Sequence, residues 1–145
     1  MNFIQRVKEL NFPLDQFVVI GSGLLDVRGL RMADDIDLVA SGVLYETLKH
    51  TGDYQESTLH DELYLFSDKL EIWQTWGPEY DYQTIKSSAI TIDDVRFINP
   101  DLLIVKKREL GRDKDFADIK LLEKYKYEHQ SWTRNTKTYR LYCRR

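Results

Sequence analysis

The sequence predicts an α/β or α+β fold, a single mixed β-sheet with helices packed on it. The first observation is order: helical and extended patterns follow one another as helix, strand, helix, strand, helix, strands and helices. The second is length, since 145 residues suit one domain able to bury roughly two-thirds of its unfolded surface. The third is composition. With 42% apolar and 31% charged residues, the chain is unlike disordered or collagen-like sequences.

The first half of the chain alternates short helices with short strands. A helix over residues 4–10 ends at the turn around Pro13, and the β-branched and aromatic run Phe17–Ile20 predicts a buried strand. A second helix is predicted over residues 22–29 with Ser22 as its N-cap. A second strand is marked by Ile36 and Leu38, and a third helix by residues 41–50.

The second half of the chain predicts two hairpins and then two helices. Residues 63–66 and 70–73 flank one tight turn, and residues 89–92 and 95–98 flank Asp93-Asp94. Helices are predicted from Pro100 to Leu110 and over residues 113–127, with Asp115 pairing with a basic neighbour to fix the start of the second. We therefore expect a domain over residues 1–127 and a basic, aromatic tail over residues 128–145.

The distribution of charged and apolar residues along the chain indicates which kinds of partner and location to expect. Residues 1–105 hold 8 basic and 18 acidic side chains, net −10, whereas residues 106–145 hold 13 and 6, net +7. Such polarity favours cations at the acidic part and phosphate at the basic part, although a solvated basic helix and tail explains it equally. No apolar run approaches the roughly 20 residues of a membrane span, and Cys143 is the one cysteine. A cytoplasmic protein is expected.

Two short motifs suggest chemistry. The strand at Phe17–Ile20 ends in Gly21-Ser22, where unpaired N–H groups at the start of a helix would suit phosphate. Asp35 and Asp37 lie two apart on a predicted strand, so both carboxylates face one side and repel each other. A bound cation relieves that cost, and hard oxygen ligands select Mg²⁺ or Mn²⁺.

The order of strand, Gly21-Ser22, helix and acidic strand resembles the signature of the nucleotidyltransferase superfamily. That superfamily has a palm like that of DNA polymerase β and includes the minimal nucleotidyltransferases. Its third catalytic carboxylate lies on a later strand between two apolar residues, which Leu70-Glu71-Ile72 fits. The resemblance covers residues 14–125.

Further matches are similar to abortive-infection type transferases. Arg31 stands four residues before Asp35, where those relatives often have an arginine. Lys106 and the pattern R-x-K-D-x-x-D-I, which begins at Arg112, resemble the helical end of those relatives. The sequence departs from them in having Ala33 where a threonine is common, an extra acid at position 34, and Glu rather than Asp as the third carboxylate.

The resemblance implies a metal-dependent enzyme that moves NMP from an NTP, ATP first among them, to an acceptor hydroxyl. Asp35, Asp37 and Glu71 would be the catalytic residues and ligands of two Mg²⁺ or Mn²⁺ ions, with Glu71 either a ligand or the base. The implied nucleotide contacts are Gly21, Ser22, Arg31 and Lys106. For Arg31, a surface ion pair with Asp34 or Asp35 is an equal alternative. For Lys106, a solvated helical lysine is slightly favoured over a nucleotide contact.

Neither the acceptor nor the assembly follows from the sequence. RNA such as tRNA, a protein or a small molecule could accept the nucleotide, and so short a chain needs its C-terminal helices, an oligomer or a partner to recognise it. Trp73 is expected in the core, while Trp76 could pack there or against a base. Two rival functions stay open: a non-catalytic, antitoxin-like or regulatory module that binds nucleotide or a partner, and an RNA-binding protein that uses the basic tail.

Overall fold

The computed structural model describes the backbone of residues 1–136 and the side chains of residues 1–129. The chain falls into two compact units, Met1–Leu103 and Ile104–Arg145. The boundary between the units lies two residues before the change in net charge at residues 105 and 106. Because residues 104 and 105 are uncharged, the first unit carries all the charges of the acidic segment. The predicted class is confirmed: the fold is mixed α+β, with a seven-stranded sheet in the described residues.

The elements are short in the first unit and long in the second. The helices are α1 (Phe3–Lys8), α2 (Gly23–Val27), α3 (Gly42–Lys49), α4 (Tyr82–Ser87), α5 (Pro100–Leu110) and α6 (Asp113–Thr136), with a 3₁₀ turn at Leu14–Gln16. The strands are β1 (Phe17–Ile20), β2 (Ile36–Ala40), β3 (Gln55–Leu59), β4 (Glu62–Ser67), β5 (Leu70–Trp73), β6 (Ile90–Ile92) and β7 (Val95–Phe97).

The sheet has the order β3-β4-β5-β2-β1-β7-β6 and is mixed in direction. β1 is antiparallel to β2 and parallel to β7, while β2 is parallel to β5. The outer strands are joined as antiparallel hairpins. Every residue of β1 is buried, as its apolar sequence requires of a central strand covered on both faces. This arrangement places β2, with its acidic residue, between two buried neighbours.

Helices cover the central strands of the first unit. α2 and α4 pack beside β1, α1 packs on α2, and α3 packs beside β2. The start of α2 approaches its neighbours so closely that a Cβ on Gly23 would lie 2.6 Å from both Phe3 and Val19. A side chain there would have to displace the core, so glycine is a packing requirement at this position.

Most predicted elements are confirmed. β1 and α5 have the predicted bounds, both hairpins form, and Asp93 and Asp94 both adopt positive φ in the second hairpin turn. Two elements had no prediction: the polar strand β3 and the short helix α4. The predicted N-cap position of Ser22 is confirmed, although the Ser22 side chain makes no capping hydrogen bond.

The second unit contains a buried ion network. The ammonium of Lys107 lies 2.9 Å from Asp118 and 3.7 Å from Asp115, and all three side chains are buried. Arg112 donates to Asp115 from its side chain and from its backbone N–H, at the first turn of α6. The predicted structural role of Asp115 at the helix start is therefore confirmed.

Part of the segment that was predicted to be a tail is helical. α6 continues to Thr136, through the first nine residues of the predicted tail at 128–145. The rest of that tail, with Tyr139, Cys143 and the terminal arginines, lies outside the described residues. Within residues 1–136, no helix is both long and apolar enough to cross a membrane.

Candidate functional site

Two of the predicted carboxylates are brought side by side by the sheet. Asp37 on β2 and Glu71 on β5 are direct partners in the parallel pairing of these strands. Neighbouring strands are about 4.8 Å apart, and residues in register point to the same face. Both side chains are half-buried. The structure therefore places two acids from segments 34 residues apart at one point on the sheet.

Asp35 lies two residues before Asp37 and outside β2, so the prediction that both acids share a strand is wrong for Asp35. It is exposed and precedes β2, which begins at Ile36, where the Ile36 N–H donates to the carbonyl of Lys69. Throughout the part of the chain that the structure describes, no group of three or more His, Cys, Asp or Glu side chains is arranged to hold a metal ion. Asp37 and Glu71 thus form the core of the predicted acidic site, with Asp35 two residues away along the chain.

Gly21 is pressed against the Asp37 carboxylate. Its φ is +69°, which disfavours any residue with a side chain, and a Cβ at this position would lie 2.7 Å from Asp37 Oδ2. The close approach follows from the antiparallel register of β1 and β2, in which Ile20 faces Asp37. Because Gly21 has no side chain, the Asp37 carboxylate does not collide with the methyl group that an alanine would place there.

Ser22 and Arg31 are also brought together. Arg31 Nη2 donates to Ser22 Oγ at 2.6 Å, and Arg31 Nη1 donates to the Met32 carbonyl at 3.0 Å. The Ser22 hydroxyl thus bonds a guanidinium instead of capping α2. Hydroxyl and guanidinium groups are both common phosphate ligands, and here they adjoin the glycine that contacts Asp37.

The loop that leads to Asp35 is held by two residues that the sequence did not single out. Arg6 on α1 donates to the carbonyls of Ala33 and Asp34, at 3.0 and 2.7 Å. The Ala33 N–H donates to the carboxylate of Asp26 at 2.8 Å. Because these partners are main-chain atoms 7 to 28 residues away, no side-chain motif could have revealed them.

Glu71 has an aromatic neighbour on its own strand. The indole Nε1–H of Trp73 donates to Glu71 Oε1 at 3.2 Å, and Trp73 itself is 9% exposed. The prediction that Trp73 belongs to the core is confirmed, while Trp76 is half-buried.

Lys106 lies in the second unit. Its side chain is 11% exposed, and its ammonium is 3.7 Å from Glu109 Oε1. The alternative of a solvated lysine is wrong for so buried a side chain. A role for Lys106 at nucleotide stays a prediction.

The donor set at the acidic site fits a hard divalent cation. Carboxylate oxygens are the ligands that Mg²⁺ and Mn²⁺ prefer, and the pairing of β2 with β5 brings two carboxylates together here. Comparison of the chain with protein-family models, with curated proteins and with solved structures finds no match.

Proposed function

We propose that this protein is a metal-dependent nucleotidyltransferase, which moves NMP from an NTP to an acceptor hydroxyl. The observation that carries the proposal is the in-register pair Asp37 and Glu71 on parallel strands, with Gly21 against Asp37. A structural role gives little reason to place two carboxylates one strand spacing apart, because they repel each other.

Asp37, Glu71 and Asp35 would hold the divalent cations. The bound ions would supply charge stabilisation at the phosphate and activation of the attacking hydroxyl. The protein's own contribution is to hold Asp37 and Glu71 on rigid strands, and to fix the Asp35 loop through Arg6 and Asp26.

The phosphates of the NTP would lie at Gly21, Ser22 and Arg31. Nucleotidyl transfer accumulates negative charge on phosphate oxygens, and a guanidinium beside a hydroxyl can stabilise that charge. Arg31 already donates to Ser22, so both groups are oriented before any ligand arrives. Glu71, the third carboxylate, would serve as a ligand or accept the proton of the acceptor hydroxyl.

Calorimetry of ATP binding tests the proposal. Wild-type protein is expected to bind ATP in Mg²⁺ and to lose that binding in excess EDTA. Asp37→Asn is expected to abolish Mg²⁺-dependent binding, whereas Asp68→Asn, which removes an exposed acid from the β4–β5 turn, leaves it unchanged. If wild-type protein shows no Mg²⁺-dependent ATP binding, the proposal is wrong.

A second candidate is a non-catalytic module that binds nucleotide or a partner with the same fold. The observation that favours it is that the described residues contain a pair of close carboxylates but no group of three arranged for a metal ion. Binding of nucleotide without transfer to any acceptor would support this candidate. Transfer of NMP would exclude it.

A further inference from the structure

The bond between Trp73 and Glu71 joins the candidate site to the aromatic part of the sheet. Both residues lie on β5 two positions apart, so their side chains share a face. The donor is a buried indole and the acceptor a carboxylate, at 3.2 Å. Hydrogen bonds with an ionised partner are stronger than neutral ones and fix orientation as well as distance.

The indole is itself held by a second ring. Tyr64 on β4 is the direct antiparallel partner of Trp73, and the two rings stack with centroids 4.3 Å apart and planes 15° apart. Phe66, two residues along β4, lies opposite Glu71 in the register and 5.6 Å from Tyr64 between ring centroids. Glu71 therefore stands between Asp37 on one neighbouring strand and an aromatic group on the other.

We propose that Trp73 is a positioning residue that holds the Glu71 carboxylate in one orientation for cation binding, and that Tyr64 fixes the Trp73 ring. The inference rests on the proposed function, because it assumes that Glu71 is a cation ligand. A carboxylate on a flexible side chain loses rotamer freedom when it binds an ion. A hydrogen bond that restricts it beforehand reduces that loss, as supporting groups commonly do for metal ligands.

The competing explanation is that Glu71 only satisfies the buried indole donor. Buried N–H groups almost always have an acceptor, so the bond alone does not separate the two roles. Mg²⁺ affinity does separate them, since a purely structural bond affects folding but not the binding of the ion.

The first measurement uses the indole N–H signals of ¹⁵N-labelled full-length protein. The chain has three tryptophans, and the Trp73 signal is identified by its loss in Trp73→Phe. Glu71→Gln replaces the charged acceptor with a neutral one, so we expect the Trp73 signal to move upfield. A signal that Glu71→Gln leaves unmoved would overturn the proposal.

The second measurement is Mg²⁺ affinity by calorimetry. Trp73→Phe keeps an aromatic ring but removes the donor, and we expect its dissociation constant for Mg²⁺ to rise by roughly 10-fold to 100-fold. Tyr64→Phe keeps the stacked ring and is the matched control, with an affinity equal to wild type. Tyr64→Ala removes the stack and is expected to weaken binding in the same direction as Trp73→Phe.

The outcomes distinguish this proposal from the proposed function. If wild type binds Mg²⁺ and Trp73→Phe, folded by circular dichroism, binds it equally well, the positioning role is wrong and the function stands. Should Trp73→Phe not fold, Tyr64→Ala against Tyr64→Phe decides by the same criterion. If wild type does not bind Mg²⁺ at all, the function fails and the positioning role fails with it.

Discussion

Replacing Gly21 with alanine is expected to displace the Asp37 carboxylate while lowering the stability of the fold only modestly. Gly21 has a φ of +69°, and an L-residue in this left-handed region costs about 1–2 kcal/mol. The added methyl would lie 2.7 Å from Asp37 Oδ2 but 3.4 Å from Asp37 Cβ, an ordinary contact. Only the end of a rotatable side chain must move, so displacing it adds little to the cost in stability. It does move the carboxylate proposed to bind the cation.

Gly29 supplies the matched control for this prediction. Its φ is +73°, almost that of Gly21, but a Cβ there would meet no atom within 4 Å. We therefore expect Gly21→Ala and Gly29→Ala to lose similar free energies of unfolding, about 1–2 kcal/mol each in urea titrations. Calorimetry with Mg²⁺ should show at least roughly tenfold weaker binding for Gly21→Ala alone. Equal Mg²⁺ affinities in the two variants would refute the reasoning.

Three further predictions concern stability and are measured by urea or acid unfolding. Gly23→Ala places a methyl 2.6 Å from core carbons and should cost about 1–3 kcal/mol, so a neutral result would contradict the packing described for α2. Lys107→Met leaves the buried Asp118 without its ammonium partner 2.9 Å away and should cost about 3–5 kcal/mol; a loss below about 1 kcal/mol would show that the ion pair is dispensable. Burial raises the pKa of Asp115, but the hydrogen bonds from Arg112 and the nearby positive charges outweigh it and hold the pKa below its ordinary value. The folded state therefore gains stability from Asp115 above about pH 4 and loses it as the pH falls further, and Asp115→Asn should flatten this acid dependence.

The sequence was sufficient where local pattern and burial agree. β1 is a four-residue run of β-branched and aromatic residues that ends at a glycine, which favours a short buried strand, and it is buried throughout. The helix expected from residue 41 forms as α3, and the hydroxyl of Ser41 caps it by accepting from the Leu44 N–H, three residues on. In the second hairpin the adjacent aspartates were expected at the turn, and the structure shows both with the positive φ that aspartate tolerates.

Elements that depend on a neighbour could not be predicted in this way. β3 is a polar strand, Gln-Glu-Ser-Thr-Leu, exposed at the sheet edge and formed by pairing with β4. Its residues carry no apolar alternation, and their extended form follows from the hydrogen bonds of β4. α4 has six residues, too few for a clear helical period, and begins at the Asp81 cap.

The acidic residues of the candidate site could be predicted from the sequence, but the contacts that hold the surrounding loops in place could not. The alternation of acidic and apolar residues identified Asp35 and Asp37, and the resemblance to nucleotidyltransferases identified Glu71, but only the parallel pairing of β2 with β5 shows that Asp37 and Glu71 lie in register. Arg6 and Asp26 act on main-chain atoms of the Asp35 loop, and such contacts leave no residue pattern. Ser22 accepts a hydrogen bond from Arg31 instead of capping α2. The two residues are nine positions apart, and local propensity does not predict that the chain between them brings them together.

Transfer of label from [α-³²P]ATP is the most direct test of nucleotidyl transfer. Wild-type protein with Mg²⁺ would be incubated with tRNA, with protein and with small-molecule acceptors, beside Asp37→Asn and the control Asp68→Asn. We predict Mg²⁺-dependent labelling of one acceptor class by wild type and Asp68→Asn, and none by Asp37→Asn. Labelling by Asp37→Asn at the wild-type rate, or no labelling of any acceptor by wild type that binds Mg²⁺ and ATP, would contradict the account.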